Sequence, residues 1–484
     1  MSSTWVMVSR RLRITVVPRS VPLGPATVAV LLVLALVGCD GGVRGTAGAS
    51  GVRDPYFPKA GNGGYDVTHY GLTLDYDPKA RRLVGKAEIT ARAEQDLSAF
   101  DLDLKGMKVE SVEVAGEAAR FNRSGGQELV VRPRDDLHEG AAFTTVVRYS
   151  GSPQTITDPD GSEEGWLRTE DGALGLGEPT GSMAWFPGNH HPSDKATYDI
   201  TVTVPEGLKA VSNGELRSEV TRRGRTTFVW HVGEPMASYV ATVAVGEYEV
   251  RRSKGPHGLP VYVAVDPVQA KESREVLGRI PEVMKWAELN FGAYPFSSVG
   301  AIVEREDDAG YALETQNRPV FPGAPSVELL VHELAHQWYG NSVTPKTWRD
   351  MWLNEGFATY AEWLWAEDHG GDSVQDVFDA LYEGDYFDSK EDNDAVWDFP
   401  PAKPTGADRI SDSPVYERGG MVLHKIRQAV GDDRFYDIVQ GWAATRRHGN
   451  ADTDDFTAYV EKKAPDKDFS RIWADWLYGD GKPE

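Results

Sequence analysis

The chain has 484 residues, 40% of them hydrophobic and 14 of them tryptophan, which is enough for two or three domains with substantial cores. Its formal net charge is -23, and without residues 1 to 38, which carry Arg10, Arg11, Arg13 and Arg19 and no acid, 47 basic residues face 74 acidic ones for a net of -27. A surface of that sign repels phosphate backbones and excludes nucleic acid as an expected partner.

The N-terminus reads as an export signal: arginines first, then an apolar run from Ala26 to Val37, then small residues. The run is too short and too proline-flanked for a membrane span. It ends in Leu36-Val37-Gly38-Cys39, and Cys39 is the only cysteine in the chain. This resembles the lipobox of bacterial lipoproteins, whose cysteine becomes the lipidated first residue of the mature protein. The expectation is a signal peptide over 1–38, lipidation at Cys39, and anchoring through that lipid on the outer face of a bacterial membrane. A plain secretory signal with an incidental cysteine is the alternative, and Met7 could replace Met1 as the start. Either way no intrachain disulfide can form.

Residues 39–63 are rich in Gly, Ala and Ser and read as a flexible tether. From 64 to 252 the pattern is that of a β domain. Tyr70, Leu72, Leu74 and Tyr76 alternate with small or polar residues, as do Ile200, Val202 and Val204. Turn signals recur at Asp77-Pro78, Ser124-Gly125-Gly126, Asn213-Gly214 and Arg223-Gly224. Residues 253–484 form a second, mostly helical domain with a small sheet near its start. Val276, Ile280, Val283, Met284, Ala287 and Leu289 recur at helical spacing, and 300–303 reads as a short strand. Further helices are expected at about 326–340, 353–368, 374–384, 415–430, 433–446, 454–462 and 468–477. The acidic runs Glu304 to Asp308 and Asp385 to Asp394 read as solvated loops.

Within the first of those later helices, VHELAHQWYG carries chemistry. With Ser326 as its cap and about 100° per residue, His336 sits about 40° from His332, and Glu333 about 60° beyond His336. Val327, Leu330, Val331, Leu334, Ala335 and Trp338 cluster on roughly the opposite side, and only Leu329 intrudes on the polar arc. Two imidazoles one turn apart can bind one zinc ion, with the intervening glutamate able to reach an attacking water. Taken alone, the pattern also suits two core or surface histidines beside an exposed glutamate. A catalytic site needs a third ligand. WLNEGFATYAEW offers Glu355, with 18 residues between it and His336, which leaves room for one loop and an antiparallel return. Two histidines and a glutamate form a known catalytic zinc set. The ligands alone do not separate zinc from another divalent ion, although they suit zinc well.

With both segments in view, the sequence resembles the aminopeptidase N family of zinc peptidases, within the gluzincins, over nearly all of the chain from about Tyr65. The resemblance implies an all-β saddle-like N-terminal domain followed by a mostly helical, thermolysin-like α+β catalytic domain. It implies one Zn2+ per chain, with His332, His336 and Glu355 as ligands and Glu333 as general base. Tyr311-Ala312-Leu313-Glu314-Thr315 is similar to the family's Gly-x-Met-Glu-Asn segment, which makes Glu314 a holder of the substrate's α-amine. Tyr416-Glu417-Arg418-Gly419 is similar to the family's Tyr-Glu-Lys-Gly and makes Tyr416 the oxyanion donor. LGEPTGSMAWFPGNHHPSDKATY is similar to the β-domain segment whose glutamate, here Glu178, also holds the amine.

The sequence departs from the family at several of these places. The first glycine, the Met and the Asn of the amine-binding segment are replaced, Leu176 stands for a Gln, and Met183 stands where an Arg is common. His190 and His191 replace an acidic pair; adjacent histidines usually point apart, so no second metal site is expected. After Tyr478 there is no long helical-repeat domain, so the likeness is to shorter bacterial members and implies a more open site. Thr359 is a candidate support for the ligands, and 312–318 reads as a strand end at the cleft that could pair with an extended substrate.

The expected function is therefore hydrolysis of the first peptide bond of peptides with a free N-terminus. The alternatives are a zinc endopeptidase or other zinc hydrolase on the same fold, and a non-catalytic surface binding protein.

Overall fold

The computed structural model describes residues 44–484, so the signal region and Cys39 lie outside it. Among the described residues no helix is long and apolar enough to cross a membrane.

The first region is built on an eight-stranded sheet whose centre is the run of long strands Lys195–Pro205, Tyr65–Asp77, Arg82–Ala93 and Ala142–Gly151. Buried and outward residues alternate along them because one face packs on the core. In Tyr65–Asp77 the buried positions run Tyr65, Val67, then Tyr70, Leu72, Leu74 and Tyr76. The change of phase coincides with a register shift between Val67 and His69, where an extra residue turns the following side chains to the other face. A five-stranded and a four-stranded sheet complete the region.

The second region opens with a small sheet of Glu249–Lys254, Pro260–Val265, Val299–Val303 and Val320–Phe321. The boundary expected between 252 and 253 falls inside the first of these strands. That strand pairs with Pro260–Val265 and so belongs to the second region. Nine α-helices are found among the described residues, the first two between the second and third strands of this sheet: α1 Ser273–Gly278, α2 Ile280–Phe291, α3 Val327–Ala335, α4 Trp352–Asp368, α5 Val374–Glu383, α6 Lys390–Ala395, α7 Gly419–Val430, α8 Asp432–Thr445 and α9 Thr453–Lys463. Two π-helical turns, Pro414–Arg418 and Ile472–Leu477, stand where helix was expected. The acidic stretch 385–394 ends in the short helix α6 instead of remaining loop throughout, because Ser389 caps it through Asp392 N at 3.0 Å.

Two expectations about local character fail for physical reasons. The segment 44–63 is docked, not a free tether. Thr46 N donates to Asp96 O and Gly48 N to Ala99 O, each at 2.9 Å, and Thr46–Ala47 pairs with Leu97–Asp103 as a short parallel strand. Its glycines serve close approach: a Cβ on Gly45 would lie 2.5 Å from Leu97 C, and one on Gly48 2.4 Å from Gly63 O. In the run Glu304 to Asp308, Glu304 is 2% exposed and accepts the Tyr248 hydroxyl. Burial raises its carboxyl to about 8, so it is held as a hydrogen-bonded core group and not as a solvated charge.

The docked segment also joins the two regions. Asp54 Oδ1 accepts Tyr56 N at 2.8 Å and Phe57 N at 2.9 Å, while Asp54 Oδ2 accepts Trp348 N at 2.9 Å and faces His191 Nε2 at 3.2 Å. The neighbouring imidazole does something else: His190 Nε2 lies 3.0 Å from Phe186 O, and burial lowers its pKa to about 4. The two histidines thus point to separate partners. Further along the same joint, Lys195 Nζ donates to Asn341 O at 2.9 Å and Ser342 O at 3.0 Å, and Tyr239 OH donates to Gly340 O at 3.1 Å.

Removing the Asp54 carboxylate leaves three backbone N–H groups and one imidazole without their acceptor in a buried place. Asp54→Ala is expected to lower unfolding stability by about 3 kcal/mol or more. Denaturant melts of the two proteins measure it, and a difference under about 0.5 kcal/mol would count against the joint described here.

Candidate active site

Helix α3 starts where the sequence places it, with Ser326 Oγ accepting Leu329 N at 3.1 Å. It ends at Ala335, short of the expected 340, with His336 as C-cap; His336 N still bonds His332 O at 3.2 Å. His336 therefore keeps its position one turn above His332, and the chain turns away at once toward α4. The turn is tight: Gly340 has φ 122°, and a Cβ there would lie 1.8 Å from Asn354 Oδ1. Only glycine lets the loop lie so close to α4.

The structure brings His332, His336 and Glu355 together. Glu355 Oε2 lies 3.3 Å from His332 Nε2 and 3.3 Å from His336 Nε2. The other ring nitrogens are taken: His332 Nδ1 meets Glu362 Oε1 at 2.6 Å, and His336 Nδ1 meets Tyr339 O at 3.2 Å. A carbonyl and a carboxylate can only accept, so each Nδ1 carries a proton, and Nε2 is the nitrogen of each ring left for a metal ion at the shared point. The fit to zinc is close. With bonds of about 2.0–2.1 Å, the edge of a tetrahedron is about 3.4 Å, which matches the His–Glu separations.

Electrostatics tell the same story. Burial opposes charge on all three groups, yet the Glu355 carboxyl is held below its usual range by His336 and His332. Against the same burial, Glu355 and Glu362 push His332 well above the usual imidazole range, and Glu355 and Glu314 raise His336 to about 9.

Glu333 is 4% exposed, and its Oε2 has no hydrogen-bond partner. Burial lifts its carboxyl to about 8, opposed by His332 and His336. Glu314 is 3% exposed and accepts Asn354 Nδ2 at 3.1 Å. Oxygens of Glu178, Glu314 and Glu355 lie within 4.8 Å of one another, so three carboxylates share one small volume. Burial, and next the Glu314 charge, raise Glu178 far above the usual range. Tyr416, in the turn Pro414–Arg418, stacks on His332 with 6.1 Å between ring centroids and 14° between planes. Burial, and after it Glu355, push its hydroxyl well above the usual tyrosine range, so it remains a donor.

The two histidines, Tyr416 and the carboxylates of Glu178, Glu314, Glu333 and Glu355 line one cavity of about 390 Å³. Tyr416 is brought there by close backbone contact. A Cβ on Gly356 of α4 would lie 2.9 Å from Gly419 C, so α7 approaches α4 without side chains between them. Arg418, fully buried, donates to the carbonyls of Trp476, Asp475, Phe399 and Gly479 and locks the turn from behind.

The expected strand end at 312–318 is a turn. Only Leu313 bridges Val320, and Asn317 takes φ 69° with its N–H on Gln337 Oε1 at 2.9 Å. Arg318 fixes the turn by donating to Ser212 O, to Gly214 O at 2.9 Å and to Tyr262 O at 3.3 Å, with its guanidinium over Trp230 and Tyr262. A buried polar network therefore sets where Glu314 points, with its carbonyl accepting Gln337 Nε2 at 3.2 Å and Asn341 Nδ2 at 2.6 Å. Glu362, not Thr359, is the residue that touches a ligand. The signal was present: Glu362 lies seven residues after Glu355, two turns along the same face of α4.

Comparison with known proteins agrees with this geometry. Residues 66–240 match the model of the Peptidase M1 N-terminal domain, and residues 313–476 that of the Peptidase family M1 domain. The M1 zinc metallopeptidase from Deinococcus radiodurans superposes with a TM-score of 0.80 at 30% identity, covering 90% of this chain and 99% of that one. A mutant M1 zinc metallopeptidase from the same organism, bound to a Tyr-Ser-Ala substrate, gives 0.81 at 29% identity, covering 90% and 99%. The leucyl aminopeptidase of Saccharolobus solfataricus is 27% identical over 449 residues, 86% of this chain and 54% of that protein. The chain spans about half the length of the curated relatives it matches.

The bond from Glu362 to His332 holds the ring's tautomer and orientation. Glu362→Ala is expected to weaken zinc binding about 10–100-fold, read by competition against a chromogenic chelator. Unchanged affinity would mean that His332 is oriented by packing alone.

Proposed function

The chain belongs to the M1 family of zinc metallopeptidases, and from that premise we propose that it is a zinc-dependent aminopeptidase acting on peptides with a free N-terminus. One observation carries the exopeptidase reading: two carboxylates, Glu178 and Glu314, stand against the His332–His336–Glu355 cluster in a single buried cavity. A neutral substrate would leave that negative charge uncompensated, whereas an α-ammonium balances it. With the amine held there, only the first peptide bond lies within reach of Glu333.

His332, His336 and Glu355 would hold a zinc ion, which would supply Lewis acidity to acidify the attacking water and polarise the scissile carbonyl. Glu333 takes the proton of the attacking water at its unpartnered Oε2 and returns it to the leaving amine. The Tyr416 hydroxyl, kept protonated by its surroundings, donates to the oxygen of the attacked carbonyl as charge develops on it. Glu362 and the Tyr339 carbonyl hold the two imidazoles still throughout. We also propose export and attachment to the outer face of a bacterial membrane through a lipid on Cys39, on the strength of the sequence pattern around it.

Two measurements test this reading. Free and N-acetylated forms of one peptide are compared, and only the free form is expected to be cleaved. Equal cleavage of both, or internal cleavage of a long blocked peptide, would make it an endopeptidase. Glu333→Gln is expected to keep its zinc while kcat falls about 10²- to 10⁴-fold, whereas a pure binding protein would show no turnover to lose.

A further inference from the structure

We propose that Asn354 is a positioning residue that joins the metal site to the amine site, its one amide nitrogen setting the places of Glu355 and Glu314 together. This rests on the aminopeptidase reading above and extends it to a residue outside the metal ligands and the two amine-holding glutamates.

Asn354 and Glu355 are neighbours in the first turn of α4. Successive helical residues point about 100° apart. Glu355 therefore turns to His332 and His336, while Asn354 turns to Glu314 and the loop at Gly340. Asn354 Nδ2 donates to Glu314 Oε1 at 3.1 Å and to Glu355 Oε1 at 3.3 Å. The two oxygens of Glu355 are thus divided: Oε2 faces the imidazoles, and Oε1 is tied to the amide.

Chemistry fixes which way the amide faces. As holders of a cation, both glutamates act as carboxylates, which only accept, so the NH2 end must face them and Oδ1 must face away. There Oδ1 meets the backbone of the Gly340 loop and finds no donor, although Asn354 is fully buried. A buried carbonyl without a donor destabilises a fold. Packing alone therefore does not call for an amide here, since a leucine has a similar shape and no such acceptor.

What the bridge does follows from charge. Oxygens of Glu314 and Glu355 lie within 4.8 Å of each other, and two buried carboxylates that close repel. The two N–H bonds of one amide lie in a plane and diverge, so each carboxylate is drawn to its own side of the nitrogen. Hydrogen bonds to ionised acceptors are the strong ones. The amide itself has no room to swing: a Cβ on Gly340 would lie 1.8 Å from Asn354 Oδ1 and 2.7 Å from its Cγ. Tyr239 OH holds that loop in turn by donating to Gly340 O at 3.1 Å. Loss of the Asn354 donor releases both carboxylates at once, so the metal ligand and the amine holder lose their spacing together.

The test reads two affinities in Asn354→Leu, with thermal melts to establish that the variant is folded. Zinc binding to the metal-free protein, by titration calorimetry, is expected to weaken about tenfold or more. The zinc-loaded protein is then titrated with L-leucine hydroxamate and with 4-methylpentanohydroxamic acid, the same molecule without its amine. The preference for the amine-bearing compound is expected to fall about tenfold from its value in the parent protein. A merely structural role would not move that preference. Asn354→Ala serves where Asn354→Leu fails to fold, and is expected to lower both quantities by a smaller factor because water can enter the vacated space. Both quantities unchanged in a folded variant, or only one of them lowered, would overturn the proposal. If the parent protein binds the two hydroxamates alike, the amine is not held at Glu314, and the aminopeptidase reading falls and takes this proposal with it.

Discussion

Carboxylates buried in one cavity with no lysine or arginine in its lining are the constraint on which the rest of the molecule depends. Glu314, Glu333 and Glu355 are each 3 to 4% exposed, close together, and faced by imidazoles and not by lysine or arginine. An ionised carboxylate withdrawn from water costs several kcal/mol unless it is paired. The carboxylates draw His332 and His336 toward the charged form, and burial pushes Glu333 and Glu314 toward the neutral one. A divalent ion and an ammonium group resolve the same conflict more fully. Affinity for metal and for substrate thus comes from a site that is electrostatically incomplete without them.

Such a site persists only if the surrounding frame prevents it from relaxing, and the frame here is supplied by both regions. The first region contributes Glu178 directly. It also clamps the loop after α3 through Lys195 and Tyr239 and receives Arg318 from the turn that holds Glu314. The second region brings α3, α4 and α7 together with glycine at the closest contacts, Gly340 and Gly356. These contacts are packed and hydrogen-bonded, so the functional carboxylates cannot swing out to water at low cost.

Much of this was legible in the sequence, for identifiable reasons. Helical period fixes which residues share a face, so His332, Glu333 and His336 could be placed relative to one another, and the spacing to Glu355 allowed one return. Alternation marked the long strands in the same way, although the bulge after Val67 was invisible. The misreadings share a cause: one residue type serves two physical ends. Glycine permits freedom, and it also permits contact, so the docked segment 44–63 looked like a tether. Glutamate is usually solvated, so Glu304 in an acidic run did not look like a core group bonded to Tyr248. Alternating small and apolar residues at 312–318 suited a strand, while the deciding facts, Asn317 at positive φ and a buried Arg318, depend on partners far away in sequence. Glu362 was missed although its phase on α4 pointed to it.

The most direct measurement is zinc binding to the metal-free protein by titration calorimetry, with the thermal midpoint followed in parallel. One ion per chain is expected, with a rise in the midpoint, and Glu355→Ala is expected to abolish both. No binding, or binding and stabilisation untouched by the loss of Glu355, would contradict the view that these three side chains are gathered around a cation.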